Sequence, residues 1–386
     1  MLLTPLLWRL SGARALVSEK EAEEIEFPED SHPHEIDISC RVWTVDVLKA
    51  IPFPVDAMKD VKVLKIDDII ASLETDLGLA TLAYVAEFFA KHCPGIEQVD
   101  LKDNAIGTRG IEALKPLLTL KLTHLNLKNT GIAEADALTL NQLLPAASLL
   151  SLDFSRNSLG DGGAKHFGEL LSRCINLQSF AYAGSRALSE GTNALCDGLS
   201  SLTNLTYLHL EDCGVGSADL APCLRGCKML RHLNLESNGI EIENLNALLD
   251  VLANVELEYL NLGGNDFETE GGEVLKKYLE AAPCTLRTLN LGSACLEGEG
   301  VAAVLEGLRG RHQLEHLDLS CNQIEATDMF LPPLAGLKTL NVQDNMDLEG
   351  FEAVAKAYSE TAIDIDEDLF EDADLVAELG NLKLHA

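Results

Sequence analysis

Leu230-Arg231-His232-Leu233-Asn234-Leu235-Glu236-Ser237-Asn238 spaces three leucines by three and then two positions, and places an Asn three further on. The phrase returns as Leu257-x-x-Leu260-x-Leu262-x-x-Asn265 and Leu314-x-x-Leu317-x-Leu319-x-x-Asn322, and in shorter form as Leu122-x-x-Leu125-x-Leu127. It is a leucine-rich repeat, and it can be followed eleven times between Val61 and Asn345. Leu-x-Leu alternation gives a strand with one buried face. The expected fold is therefore α/β: a leucine-rich repeat solenoid, a crescent with a parallel sheet on its concave face and helices on its convex face. Such a surface suits a protein partner better than an enclosed small substrate.

The Asn position is filled in turn by Ile69, Asn104, Thr130, Asn157, Ser185, Cys213, Asn238, Asn265, Ala294, Asn322 and Asn345. From Asn104 to Asn322 eight intervals cover 218 residues, a mean just over 27. That is the long end of the leucine-rich range and leaves room for a full helix per repeat. Ile111, Leu114, Leu117 and Leu118 follow Gly110 at helical spacing, as do Phe167, Leu170 and Leu171 after Gly162 and Gly163. A single repeat cannot bury both its strand and its helix face, so neighbours bury them for each other. The Asn side chains are expected to satisfy backbone groups where the chain leaves the strand.

Repeats override the two or three domains that 386 residues would otherwise imply. The expected organisation is an N-terminal extension or cap over 1–35, the repeat domain over 36–360 and an acidic tail over 361–386. A net charge of −33 excludes nucleic acid, whose phosphates need clustered Lys and Arg, and anionic membrane surfaces. A basic protein partner is compatible with it. No apolar run is long enough to insert in a membrane. The ten Cys are scattered through the repeats and read as reduced, mostly buried thiols. Cys223-x-x-x-Cys227 lacks the second pair a zinc site needs, so neither metal nor cofactor is expected.

Two ends stand apart. Residues 1–17 carry Trp8, Arg9, Arg14 and several Leu with no acid before Glu19. They read as a transit peptide, an amphipathic helix capping the first repeat, or a disordered arm. Between Asp364 and Asp374 seven of eleven residues are acidic, a composition typical of solvated interaction tails. Leu375, Leu379, Leu382 and Leu384 follow and are expected to be too few to fold alone but able to dock on something.

The strand residues that flank the buried leucines form aligned columns on the outer sheet face. One column runs Lys65, Asp100, Asn126, Asp153, Ala181, His209, Asn234, Asn261, Asn290, Asp318, Asn341. The next begins Asp67, Lys102, Lys128, Ser155. Lys102 and Lys128 on adjacent strands, roughly 5 Å apart, are expected to form a positive spot on an acidic protein. Asn234, Asn261 and Asn290 are expected to form a structural side-chain ladder. His124, His232 and His316 recur before the second Leu and read as solvent-facing strand residues. No Ser–His–Asp set, H-E-x-x-H or phosphate-cradling loop is present, so the chain does not read as an enzyme with its own substrate pocket.

Several stretches resemble the Ran GTPase-activating proteins, a leucine-rich repeat family of the ribonuclease-inhibitor-like type. They are Val99-Asp100-Leu101-Lys102-Asp103-Asn104-Ala105-Ile106-Gly107, Leu125-Asn126-Leu127-Lys128-Asn129-Thr130-Gly131, and Ser155-Arg156-Asn157 with Gly160-Asp161-Gly162-Gly163. The acidic segment after the last repeat and Glu378-Leu379-Gly380-Asn381-Leu382-Lys383-Leu384 extend the resemblance, which covers about residues 61–384. It implies stimulation of GTP hydrolysis by GTP-bound Ran in nucleocytoplasmic transport, in the cytoplasm or at the nuclear envelope. It implies a partner-positioning role for Asn129, and partner binding near Lys65, Lys102, Lys128 and Arg156. The family places an arginine in a phrase like Asp-(Ile/Phe)-x-x-Gly-Arg; here Asp68-Ile69-Ile70-Ala71 runs into Ser72-Leu73. The alternative is a non-catalytic leucine-rich adaptor or inhibitor of another, basic protein.

Overall fold

The computed structural model describes residues 2–3, 6–28, 32–185, 187, 189–217, 220–311, 313–325, 334–345, 358, 361–366 and 382–385. The chain divides into two compact units, Met1–Leu202 and Thr203–Ala386. Both are built from the same strand, turn and helix repeat.

In the first unit the strands are β1 (Leu2–Leu3), β2 (Leu7–Arg9), β3 (Glu35–Asp37), β4 (Val63–Lys65), β5 (Gln98–Asp100), β6 (His124–Asn126), β7 (Ser151–Asp153) and β8 (Ser179–Ala181). Pairing from β2 to β8 is parallel between chain neighbours. The central residues Leu64, Val99, Leu125, Leu152 and Phe180 are buried under the helices. Lys65, Asp100, Asn126, Asp153 and Ala181 stand directly opposite one another, as the column reading requires. The helices are α1 (Glu19–Glu23), α2 (Val45–Ala50), α3 (Thr75–His92), α4 (Gly107–Leu118), α5 (Glu134–Leu143), α6 (Gly160–Leu171) and α7 (Ser189–Leu199). Ile111, Leu114, Leu117, Leu118, Phe167, Leu170 and Leu171, which the spacing assigned to the helix core, are all buried. Helices α6 and α7 touch backbone to backbone: a Cβ added at Gly198 would lie 2.4 Å from the Gly168 carbonyl oxygen. Only glycine permits that approach.

The second unit repeats the plan with β9 (Tyr207–His209), β10 (His232–Asn234), β11 (Tyr259–Asn261), β12 (Thr288–Asn290), β13 (His316–Asp318), β14 (Thr339–Asn341), β15 (Ala362–Asp366) and β16 (Leu382–His385), all parallel from β9 to β16. Its described helices are α8 (Leu220–Leu224), α9 (Ile242–Leu252), α10 (Glu268–Ala281) and α11 (Glu297–Gly307). His209, Asn234, Asn261, Asn290, Asp318 and Asn341 are again aligned across the strands.

The motif asparagines do what their position demands. Asn265 Oδ1 accepts from the Asn238 and Ile240 amides, and its Nδ2 donates to the carbonyls of Leu235, Leu262 and Gly263. Asn157 makes the same set in the first unit, toward Thr130, Ile132, Leu127, Phe154 and Ser155. Each side chain closes the backbone accounts of two successive turns. The residue before it is left-handed in every repeat, with φ between +50° and +70° at Asp68, Asp103, Asn129, Arg156, Gly184, Asp212, Ser237, Gly264, Ser293, Cys321 and Asp344.

The chain ends differ from the sequence reading in form: both contribute strands to the sheet. The capping element in residues 6–17 is a strand rather than an amphipathic helix: β2 lies parallel to β3, with Trp8 and Leu10 fully buried. β1 runs antiparallel on the outer side of β2. At the other end, Ala362–Asp366 and Leu382–His385 are strands of the sheet, not a free tail. The acidic residues from Glu367 to Asp374, with Leu375 and Leu379, lie outside the described residues.

Candidate protein-binding surface

The outer face of the first sheet and the turns at its strand ends carry every candidate residue from the sequence. Asp100, Asn126 and Asp153 each accept from the backbone N–H two residues on, at 2.8–3.1 Å. In the second unit Asn234, Asn261 and Asn290 do the same at 2.8–2.9 Å. These side chains clamp the end of their own strand. The expected Asn–Asn ladder is therefore replaced by local clamps, with Asn261 Nδ2 donating to Glu236 instead.

The cations divide into two pairs. Lys65 is held by Glu35 at 2.7 Å. Lys102 Nζ lies 3.2 Å from Asp100 and 3.7 Å from Asp67. Burial pulls the Lys102 ammonium down, but the Asp100 and Asp67 carboxylates outweigh it and hold it above its ordinary value. The Asp100 carboxyl is also raised, because burial and the nearby Asp67 charge outweigh its contacts with Lys102. The positive spot expected at Lys102 and Lys128 is thus half cancelled. Lys128 and Arg156 enter no ion pair among the described residues; Lys128 is half-buried and Arg156 exposed.

Asn129 is exposed in the left-handed conformation, and its Nδ2 donates to Asp103 Oδ1 at 2.8 Å. An Asn is among the residues that tolerate this backbone, so the turn itself accounts for part of its identity. The turns stack: the amides of Asp68, Asp103, Asn129 and Arg156 donate to the carbonyls of Lys102, Lys128, Ser155 and Ala183. Asp68, Asp103, Asn129 and Arg156 thus form one row along the strand ends, spaced by about 5 Å.

Two features of that row were missing from the sequence reading. Ser72 has φ +67° at the position where the resemblance expects Gly, so the turn keeps a glycine-like backbone while Leu73 replaces the arginine. Arg14 reaches the same row from the N-terminal segment, donating from Nε to Asp68 Oδ2 at 2.6 Å with its side chain 59% exposed. Fifty-four residues separate the two in the chain, and no motif signals their meeting.

The histidines have partners. His124 Nδ1 lies 2.9 Å from Thr123 Oγ1, and His316 Nδ1 lies 2.7 Å from Thr339 Oγ1. His232 is not simply solvent-facing: it is sandwiched between Tyr207 and Tyr259. Cys223 and Cys227 are buried, and burial pushes the Cys227 thiol up to about 11. Among the described residues no helix is long and apolar enough to cross a membrane.

Strand, turn, helix and buried Asn in register define the class: this is a leucine-rich repeat protein. A family model described as Leucine Rich repeat matches residues 92–115, 146–168, 201–221, 226–243, 253–276, 282–305 and 312–330. The chain is 28% identical over 249 residues to the ribonuclease inhibitor of Mus musculus, covering 60% of this chain and 53% of that protein. It is 25% identical over 218 residues to NACHT, LRR and PYD domains-containing protein 5 of Bos taurus, covering 56% of this chain and 18% of that protein. The chain therefore spans about half of one relative and under a fifth of the other. Among solved structures it resembles an internalin from Listeria monocytogenes, with TM-score 0.51, 18% identity and coverage of 86% and 88% of the two chains. It also resembles a chain of the yeast Rad7 and Elc1 complex, with TM-score 0.56, 16% identity and coverage of 85% and 81%. Likeness at that identity speaks for the fold alone.

Proposed function

We propose that this chain is a protein-binding scaffold whose partner is a small GTPase of the Ran type in its GTP-bound form, and that it stimulates GTP hydrolysis by that partner. The observation that carries the reading is the turn from Asp67 to Leu73. It reproduces the family phrase up to Ala71, and Ser72 keeps a backbone that glycine would adopt. The stacked row of Asp68, Asp103, Asn129 and Arg156 supports it as a contact edge.

Hydrolysis by such GTPases rests on their own Gln, which positions water, and on neutralising phosphate charge. Leucine offers no hydrogen bond to either, so Leu73 contributes no arginine to the transition state. In this reading the chain acts by ordering the partner's Gln. Asn129 is assigned that role: Asp103 fixes its amide nitrogen and leaves its carboxamide oxygen to accept. Lys65, Lys102, Lys128 and Arg156 are assigned to partner binding, with Lys128 and Arg156 contributing most because their charges are not already matched. A location in the cytoplasm or at the nuclear envelope goes with this reading.

Single-turnover GTP hydrolysis by Ran, with and without the chain, is the test. Acceleration is expected, with Asn129→Ala lowering it and Leu73→Arg raising it about 10- to 100-fold, the worth of one or two charge-assisted hydrogen bonds. Arg14→Ala is expected to weaken binding several-fold. If neither the chain nor the Leu73→Arg variant binds Ran or accelerates hydrolysis, the reading is wrong. A second reading, an adaptor or inhibitor of a basic protein, rests on the net charge of −33 and the similarity to a ribonuclease inhibitor. It predicts binding of a basic protein without any change in GTP hydrolysis.

A further inference from the structure

The outer face of the second sheet carries a different chemistry, which the GTPase reading leaves unused. Its outward positions over β9–β14 and the residues just beyond read Tyr207, His209, Glu211; His232, Asn234, Glu236; Tyr259, Asn261, Gly263; Thr288, Asn290, Gly292; His316, Asp318, Ser320; and Thr339, Asn341, Gln343. None is Lys or Arg. Tyr207, His232 and Tyr259 occupy the same register on three adjacent strands. Their rings stack nearly parallel: centroids are 4.3 Å apart with 15° between planes for Tyr207–His232, and 3.9 Å with 9° for His232–Tyr259. All three are only half-buried.

Four residues beyond Tyr207 and His232 in the chain stand Glu211 and Glu236, held by the intervening side chains of His209 and Asn261. Glu211 Oε2 is 2.9 Å from His209 Nε2, and Glu236 Oε2 accepts from Asn261 Nδ2 at 2.8 Å. Neither is paired with Lys or Arg among the described residues. Their charge converges on the aromatic stack: burial first, then Glu236, Glu211 and Asp318, raise the Tyr259 phenol above its ordinary value. The His232 ring is held neutral, down at about 4, by burial and by His209 beside it.

We infer that this face is a docking site for a cationic, arginine-bearing extended segment of a partner protein. The argument is charge complementarity joined to ring geometry. A guanidinium lies flat on an aromatic face and is attracted by its quadrupole. A carboxylate within reach then accepts its N–H groups as a fork. His232 is covered on both faces, so the end rings Tyr207 and Tyr259 supply the faces, Glu211 and Glu236 supply the acceptors, and none of the outward positions named above is a cation. A lysine-bearing segment gains the charge but not the stacking, so the face favours Arg over Lys. The inference is independent of the GTPase reading, and its assay contains no GTPase.

The test is fluorescence anisotropy of the full chain with a labelled synthetic Arg-Gly repeat peptide, its Lys-Gly counterpart and a Glu-Gly control. Binding is expected in the order Arg, Lys, then none for Glu, and is expected to weaken as salt rises from about 0.05 M to about 0.5 M. Tyr259→Ala is expected to weaken Arg-peptide binding about tenfold, with Tyr259→Phe retaining it because the ring remains. The double variant Glu211→Gln with Glu236→Gln is expected to lose at least as much. Glu273→Gln with Glu280→Gln removes the same charge from exposed positions on α10 and is expected to change binding little. Circular dichroism verifies that each variant is folded; should Tyr259→Ala fail to fold, Tyr207→Ala takes its place. Equal loss from the α10 pair would mean that net charge alone attracts the peptide. Absence of Arg-peptide binding, or indifference to both ring-removing variants, would also overturn the inference.

Discussion

Strands β4–β8 and β9–β14 share a backbone, a buried Leu pattern and a left-handed turn residue, yet their outer faces are opposites. The first face presents Lys65, Lys102 and Lys128, two of them matched by Asp or Glu. The second presents no Lys or Arg, but a Tyr–His–Tyr stack flanked by Glu211 and Glu236. The difference separates what the repeat dictates from what it leaves open. Inward positions are set by burial, and the Asn position is drawn toward Asn, in six of eleven repeats, by the backbone groups it satisfies. One outward column is tied to the backbone as well, through the clamps of Asp100, Asn126, Asp153, Asn234, Asn261 and Asn290, and the outward positions beside it are left to vary in charge.

Three measurements probe that division. The largest effect is expected where the repeat dictates. Asn265→Ala strips five hydrogen bonds from a buried turn and is expected to cost about 3 kcal/mol in urea unfolding. Thr130→Ala, at the same motif position in the first unit, is expected to cost about 1 kcal/mol. Equal costs would mean that the Asn network is not what holds the turns.

The next concerns the aromatic stack. His232 takes a proton at 6.5 when unfolded and only at about 4 when folded. As pH falls from 6.5 toward 4, the unfolded state gains protons first, so stability present above 6.5 is progressively lost. Discounted for its partial exposure, the loss is about 1–2 kcal/mol. His232→Phe keeps the stack and is expected to flatten the urea midpoint between about pH 7 and about pH 4.5 by that amount. An unchanged slope would assign the acid sensitivity elsewhere, to His124 among others, whose imidazole burial also lowers.

The smallest effect separates the lysines. Lys102→Met leaves Asp67 and Asp100 facing each other and is expected to cost about 1 kcal/mol, a modest value because the ammonium is over a third exposed. Lys128→Met is expected to be neutral for stability and to weaken partner binding. The reverse outcome would mean that Lys102, not Lys128, is the lysine available to a partner.

Much of the fold was legible because the repeat broadcasts it many times. The columns, the helix core at Leu114 and Phe167, and the role of Asn157 all follow from position within the phrase. The site is less legible, because residue type alone gives neither net charge nor stacking. Lys102 carries a charge that Asp67 and Asp100, beside it in the columns, match. His232 becomes part of a stack only through Tyr207 and Tyr259 at the same repeat position. The composition of residues 1–17 sets that stretch apart, but nothing local signals the strand β2 or the reach of Arg14 to Asp68. A short Arg- and Leu-bearing stretch resembles a leader or a helix, and only the long-range pairing of Leu7–Arg9 with Glu35–Asp37 makes it a strand.

The left-handed turn residue has one further consequence. At Arg156 the backbone carries strain of about 1 kcal/mol that glycine would relieve, and glycine's extra freedom in the unfolded chain would return a similar amount. Folding is therefore nearly indifferent to whether Arg or Gly stands there, while in the proposed reading its exposed side chain faces the partner. If the row is the contact edge proposed above, an exposed turn such as that at Arg156 is a margin on which recognition can be rewritten with little cost to the fold.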